Sequence, residues 1–250
     1  ATVDTSTNGR ITLALNGTPT AGAITLSGTG TGDTIDINVD VSTAGALTIQ
    51  NAALVDLAAN VDLSGGSVAA NSGVTESRLT GAGTNTVTGT AGSVNLGPVT
   101  DSANANLTVS ATTDVTLVAV TLNDGGALSV TADSDANGTN TLQLNGVVQA
   151  NGVTLSGGGT NDTIDINASV SSSGALTIQN AALADLADSA NLSGAGVSIT
   201  ATTLNLSGAN ASTNTISSTG DANAVSITAW ITDTNNPDLT ISSQGNVSLA

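Results

Sequence analysis

The chain contains no Phe, Tyr, Cys, Met, His or Lys, and a single Trp, Trp230, in 250 residues. Each absence excludes something. Without aromatic side chains, a thick globular core loses its usual volume fillers. Without cysteine there is no disulfide and no thiol chemistry, so rigidity has to come from packing and backbone hydrogen bonds. Without His, Lys or Tyr, the usual catalytic bases and the serine–base pairing of hydrolases are missing. Positive charge is almost gone as well: two Arg (Arg10, Arg78) stand against nineteen acidic residues, for a formal charge of −17. Such a surface repels phosphate backbones and anionic membranes, which excludes nucleic acid as a partner, and it attracts divalent cations. No apolar run approaches the ~18 residues of a bilayer span. The N-terminus has neither the basic start nor the apolar stretch of a signal peptide, so an export signal or anchor is expected outside this segment.

What remains is small and repetitive: Gly, Ala, Ser, Thr, Asn and Asp between isolated Val, Ile and Leu. The mean hydropathy is positive, at +0.23, and the aliphatic residues recur regularly. The low-hydrophobicity signature of disorder is therefore absent.

Self-similarity is the first thing to seek in such a chain. Residues 24–66 (ITLSGTGTGDTIDINVDVSTAGALTIQNAALVDLAANVDLSGG) match residues 153–195 at an offset of 129, with 30 of 43 positions identical. At an offset of 132, LTVSATTDVTL (107–117) matches LTISSQGNVSL (239–249). The chain reads as one continuous body made of two tandem units, 1–129 and 130–250, the second incomplete. Ala1 falls on Val130 and Ala250 on Val118, so both ends cut through the repeat, and continuation in a longer array or end-to-end stacking is expected.

A shorter period runs inside the unit. Leu26 to Leu47, Leu107 to Leu128, Leu155 to Leu176 and Leu176 to Val197 are each 21 apart. Short strands and turns recurring at about 20 residues are the signature of a β-solenoid, here of about twelve coils. Ile35, Ile37, Val39 and Val41 alternate with Thr34, Asp36, Asn38 and Asp40, so one set is expected inward and the other in solvent. The same logic places Ile164, Ile166, Leu47, Ile49, Leu176 and Ile178 in the interior as fold-bearing residues. LVDLAANVDL (54–63) and its duplicate LADLADSANL (183–192) could each make a helical turn, but their shared position in the repeat assigns them to the coil.

Candidate sites are few. The turn GTGTGDTIDIN (28–38) and its duplicate GGGTNDTIDIN (157–167) are similar to calcium-binding nonapeptide repeats, which need tandem copies so that successive turns share one cation. Here each copy stands alone. Asp33, Asp36, Asn38 and Asp40, with Asp162 and Asp165 in the duplicate, are the candidate cation ligands, and a solvated acidic face is the competing reading. No other cofactor is implied. Carboxylate pairs suggest glycan cleavage, but no base or sugar-stacking aromatic accompanies them, so the expectation is that the chain is not an enzyme. Alternation around Trp230 points it outward, where it could contact a neighbouring subunit or ligand.

The strings LTVSATTDVTL, LTISSQGNVSL and GALTIQNAALVDLAANVDL resemble the repeats of filamentous haemagglutinin-like adhesins and autotransporter passengers. That resemblance spans nearly the whole chain and rests on repeat grammar rather than an invariant motif. It implies an all-β, right-handed parallel β-helix located outside the cell or on a bacterial surface. It further implies a structural or adhesive module, partnered by itself, by neighbouring repeats, or by a host or cell-surface receptor. The alternative function is a calcium-binding extracellular module.

Overall fold

The computed structural model describes residues 12–28, 32–123, 125–208, 212–220, 224–235 and 237–250. Among them every regular element is a β-strand, and the strands join in one 27-stranded sheet. All pairings are parallel, and each strand pairs with strands roughly one turn away in sequence. The molecule is a β-solenoid of about 10 turns with roughly 22 residues per turn.

The pairings sort into three ladders, one for each face of the coil. The first face begins with Thr12–Leu15, Thr34–Ile37 and residues 54–57, and ends at Asp238–Ser243. The second begins with Thr20–Ala21 and Val41–Thr43 and ends at Val247–Leu249. The third begins with Ile24–Ser27 and Ala46–Gln50 and ends at residues 230–233. Stacked parallel strands lie about 4.8 Å apart, so the rod is roughly 50 Å long.

Alternation decides which way each strand faces. In Thr34–Ile37 the two Ile point into the lumen while Thr34 and Asp36 point out. Ile35, Ile37, Leu47, Ile49, Ile164, Ile166, Leu176 and Ile178 are all 1% exposed or less. They belong to a single cluster of Val, Ile, Leu and Ala that runs through the lumen. Each fully buried aliphatic contributes about 1.5–3 kcal/mol, and these side chains fill the lumen without any aromatic ring. One inward assignment fails: Val39 lies in the corner at residues 38–40, between Thr34–Ile37 and Val41–Thr43, and is only half-buried. The ambiguous LVDLAANVDL segment forms strands Ala52–Ala58 and Asp62–Gly65, joined by a turn at Ala59 and Asn60, not a helix.

The turn is longer than the 21-residue spacing predicts, so there are about ten turns, not twelve. Leu107 does pair with Leu128, and Leu176 with Val197. Leu26, however, pairs with Ile49, and Leu155 with Ile178, because the true register there is two residues longer. Corners take up further length: Val115 pairs with Leu142, and Val197 with Val225. Strand-to-strand spacing is fixed by hydrogen bonding, whereas corner loops are free to grow without disturbing it.

The two sequence units do not occupy the same faces. Thr34–Ile37 is on the first face, but its duplicate Thr163–Ile166 is on the third. Val41–Thr43 is on the second and its duplicate Val170–Ser172 on the first. From Thr34–Ile37, five steps up the first ladder reach Val148–Ala150. Thr163–Ile166 stands two faces beyond it in the chain. One 129-residue offset is thus five and two-thirds turns.

Candidate functional site

The glycine-rich turn of the second unit lies where the chain passes from the strand Gly152–Ser156 to the strand Thr163–Ile166. Asp162, fully buried, closes it. One carboxylate oxygen accepts the Gly159 N–H at 2.7 Å and the other the Asn140 N–H of the preceding turn at 2.8 Å. Its backbone carbonyl accepts from the N–H groups of Ala182 and Leu183 in the next turn. Asp133, also fully buried, faces the same glycines and accepts the N–H groups of Asn137 and Gly138 at 3.3 and 3.2 Å. A Cβ placed on Gly159 would meet Oδ2 of Asp133 and Oδ2 of Asp162, each at 3.2 Å. On Gly158, whose φ is +82°, a Cβ would run into the carbonyl oxygens of Ala132 and Asp133. Two buried carboxylates and several carbonyls therefore converge on one glycine turn.

Oxygen-rich as it is, the turn is built from the inside. A buried carboxylate is costly unless its oxygens are hydrogen-bonded, and here backbone N–H groups from two turns supply those bonds. The arrangement locks three successive turns together. The first unit repeats it in part: Asp33 is 1% exposed, and its carbonyl accepts from Ala53 and Leu54. Residues 29–31 of that turn lie outside the described residues.

The other candidate ligands point elsewhere. Asp36 is on an outward strand position, whereas Asn38 and Asp40 sit in the following corner, so the three do not share one strand face as expected. Asn38 donates to Asn16 Oδ1, and Asp40 accepts the Asp62 N–H at 2.9 Å. Asp165 accepts from Gln143 Nε2 at 3.0 Å and from Asn167 Nδ2 at 3.1 Å. Among the described residues, no group of three or more acidic side chains gathers as a metal site.

Stacking creates an arrangement that spacing along one strand does not reveal. Asp36 lies in register beside Asp56, and Asp165 beside Asp185. Like charges directly opposite one another repel, and both pairs are flanked by donors. Arg78 Nη2 reaches Asp56 Oδ2 at 3.0 Å, and Asn205 Nδ2 reaches Asp185 Oδ1 at 2.8 Å. The hydrogen bond and charge of Asp56, with Glu76 adding to them, raise the Arg78 pKa above its ordinary value. The clue in the sequence was the 20-residue separation within each Asp pair. Arg10 lies outside the described residues.

Trp230 is outward as expected, 79% exposed, opposite Thr203 on the neighbouring strand. It borders an open groove lined by Ala201, Thr202, Thr228, Ala229 and Ala250. Buried Asn satisfying backbone groups at turns is in keeping with the repeat grammar, although the sequence did not single out which positions do so. Asn85 and Asn214 are fully buried and donate to the carbonyls of Ala58 and of Ala187 and Ala190. Near Asn85 a cavity of about 20 Å³ is also lined by Ser77, and Ser77 Oγ and Asn85 Oδ1 have no hydrogen-bond partner among the described residues. Compared with known proteins, the chain matches no family model, no curated protein and no solved structure.

Proposed function

We propose that this chain is a structural or adhesive repeat module of a secreted bacterial surface protein or extracellular fibre, acting through shape rather than chemistry. It is a stiff acidic rod that spaces or presents other parts. The observation that carries this reading is the continuous parallel pairing up all three faces around one aliphatic interior. Bending such a rod would pull ladder bonds apart on one face and open a close-packed core. Backbone held in strands also opens rarely to proteases.

The repeat grammar shared with haemagglutinin-like adhesins and autotransporter passengers supports a place outside the cell. It supports, as partners, further copies of the chain, neighbouring repeats, or a cell-surface receptor. The charge of −17 fits a soluble exposed rod that neither binds nucleic acid nor enters a membrane. The lack of His, Lys and Tyr fits a protein without catalysis.

Small-angle scattering, electron micrographs and calcium calorimetry on the purified chain test this together. The expected result is a rod roughly 50 Å long per chain, with only weak, non-saturating calcium heat. A compact particle would remove the reading. A saturable calcium isotherm with a matching rise in melting temperature would replace it with a cation-binding module.

A further inference from the structure

The interior of the rod is aliphatic apart from a few buried polar residues, and two of these meet inside the first unit. Ser77 lies on the first face in the strand Val74–Thr80, between Val55 of the preceding turn and Val99 of the next. Asn85 lies on the second face in the strand Gly83–Gly89, beside Leu107 of the next turn. They are 5% and 0% exposed. Both line the cavity of about 20 Å³, whose other walls are aliphatic, among them Leu57, Leu63, Leu79 and Leu96. Chemistry fixes what each side chain offers. The Asn85 amide nitrogen donates to the Ala58 carbonyl at 2.7 Å, and turning the amide over would set Oδ1 against that carbonyl oxygen. Oδ1 therefore stays a buried acceptor and Ser77 Oγ a buried hydroxyl, neither one hydrogen-bonded within the described residues.

We propose that the lumen of the first unit is a binding site for one water molecule, held between Ser77 Oγ and Asn85 Oδ1. The water donates to Asn85 Oδ1 and shares a second hydrogen bond with the Ser77 hydroxyl, so it ties the first face to the second from the inside. Leaving both polar atoms unsatisfied costs more than immobilising one solvent molecule between them. A cavity needs roughly 10–15 Å³ and two to four polar partners to hold a water, and this one meets both conditions. A cation does not fit the same walls, because two neutral oxygens cannot replace the roughly six to eight that calcium takes. The second unit keeps the amide as Asn214, which donates to the carbonyls of Ala187 and Ala190. There, however, Leu204 lies over Ala184 where Ser77 lies over Val55. Ser77 is thus the residue that creates the site. The inference goes beyond the rod's role and does not depend on it.

A high-resolution crystal structure of the chain is expected to show one water within about 3.0 Å of both Ser77 Oγ and Asn85 Oδ1. In solution, magnetic relaxation dispersion of water oxygen counts slowly exchanging internal water. Ser77→Val removes the hydroxyl and fills the space, and is expected to lower the dispersion amplitude by one water. Ser129→Val, at an outward position of the strand Ala127–Thr131, is expected to lower it by none. A cavity without water density, a water that reaches only one of the two atoms, or an amplitude unchanged in folded Ser77→Val would overturn the site. Should Ser77→Val fail to fold, the crystal structure of the parent chain decides alone.

Discussion

The two copies of the repeat share most of their sequence between residues 24–66 and 153–195, yet each motif stands on a different face of the rod in the second copy. Their local bonds are nonetheless the same. Asn51 donates to Ser27 Oγ and Asn180 to Ser156 Oγ. Ser64 bonds Ser42 and Ser193 bonds Ser171. Asn38 bonds Asn16 and Asn167 bonds Asn145. The face therefore carries little information. A residue in a solenoid sees the strands above and below it and the lumen beside it, and those surroundings travel with the repeat. Because one offset is five and two-thirds turns, a longer array would return to its starting face only after three units. Where the copies differ, volume is exchanged locally: Ser77 lies over Val55 in the first, and Leu204 over Ala184 in the second. The exchange is imperfect in the first copy, which keeps the small cavity beside Ser77.

The strongest way to break this equivalence is to put the same charge into both copies. Ile49 and Ile178 are duplicates, both fully buried, on the third and second faces. Ile178 is packed between Leu155 and Ile199. Ile49→Asp and Ile178→Asp each strand a carboxylate in the lumen and should cost upwards of about 4 kcal/mol. If the faces are interchangeable, the two losses agree within about 0.5 kcal/mol by urea unfolding, the usual error of adding independent sites. A single variant that melts like the parent would overturn the inward assignment, and a twofold disparity would show that the faces are not interchangeable.

The solenoid was legible in the sequence because its two signals, alternation along a strand and recurrence along the chain, come directly from backbone geometry. The pitch was not. A 21-residue spacing marks Leu107 and Leu128 correctly but misplaces Leu26, which pairs two positions beyond Leu47, at Ile49. Alternation fixes a strand's face, and a two-residue slip preserves it, so nothing in the pattern exposes the error. The site was only half legible. Asp162 was found from its turn, but its partner Asp133 comes from the preceding turn, and only the stacking brings them together. Asp36 and Asp56, or Asp165 and Asp185, meet for the same reason.

The glycine turn offers a narrower comparison. Gly158 of the second copy corresponds to Thr29 of the first. At Gly158 the φ is +82°, and a Cβ would meet the backbone carbonyls of Ala132 and Asp133. Gly158→Thr gives the second copy the residue of the first, and should cost about 2–3 kcal/mol through backbone strain and the forced displacement of those carbonyls. The loss is expected as a lowered midpoint in thermal melts. A neutral Gly158→Thr would mean that this turn tolerates a side chain at Gly158 and that the glycine is incidental.

A smaller effect is expected at the corner that contains Asn60 in one copy and Ser189 in the other. Both backbones are left-handed, with φ of 59° and 56°. Asn tolerates that region better than Ser. Asn60 adds a second contribution, since its Oδ1 accepts the Thr84 N–H of the next turn at 3.1 Å. The equivalent N–H in the second copy belongs to Thr213, and the shorter Ser189 side chain lies against Asp188 instead. Ser189→Asn should therefore stabilise by about 0.5–1 kcal/mol, and Asn60→Ser should lose a similar amount. Reciprocal changes of equal size in chemical denaturation would establish that the bond between turns, and not the face, sets the stability of the corner. A loss at Asn60 with no gain at Ser189 would locate the difference in the loop that follows, where the two copies have diverged.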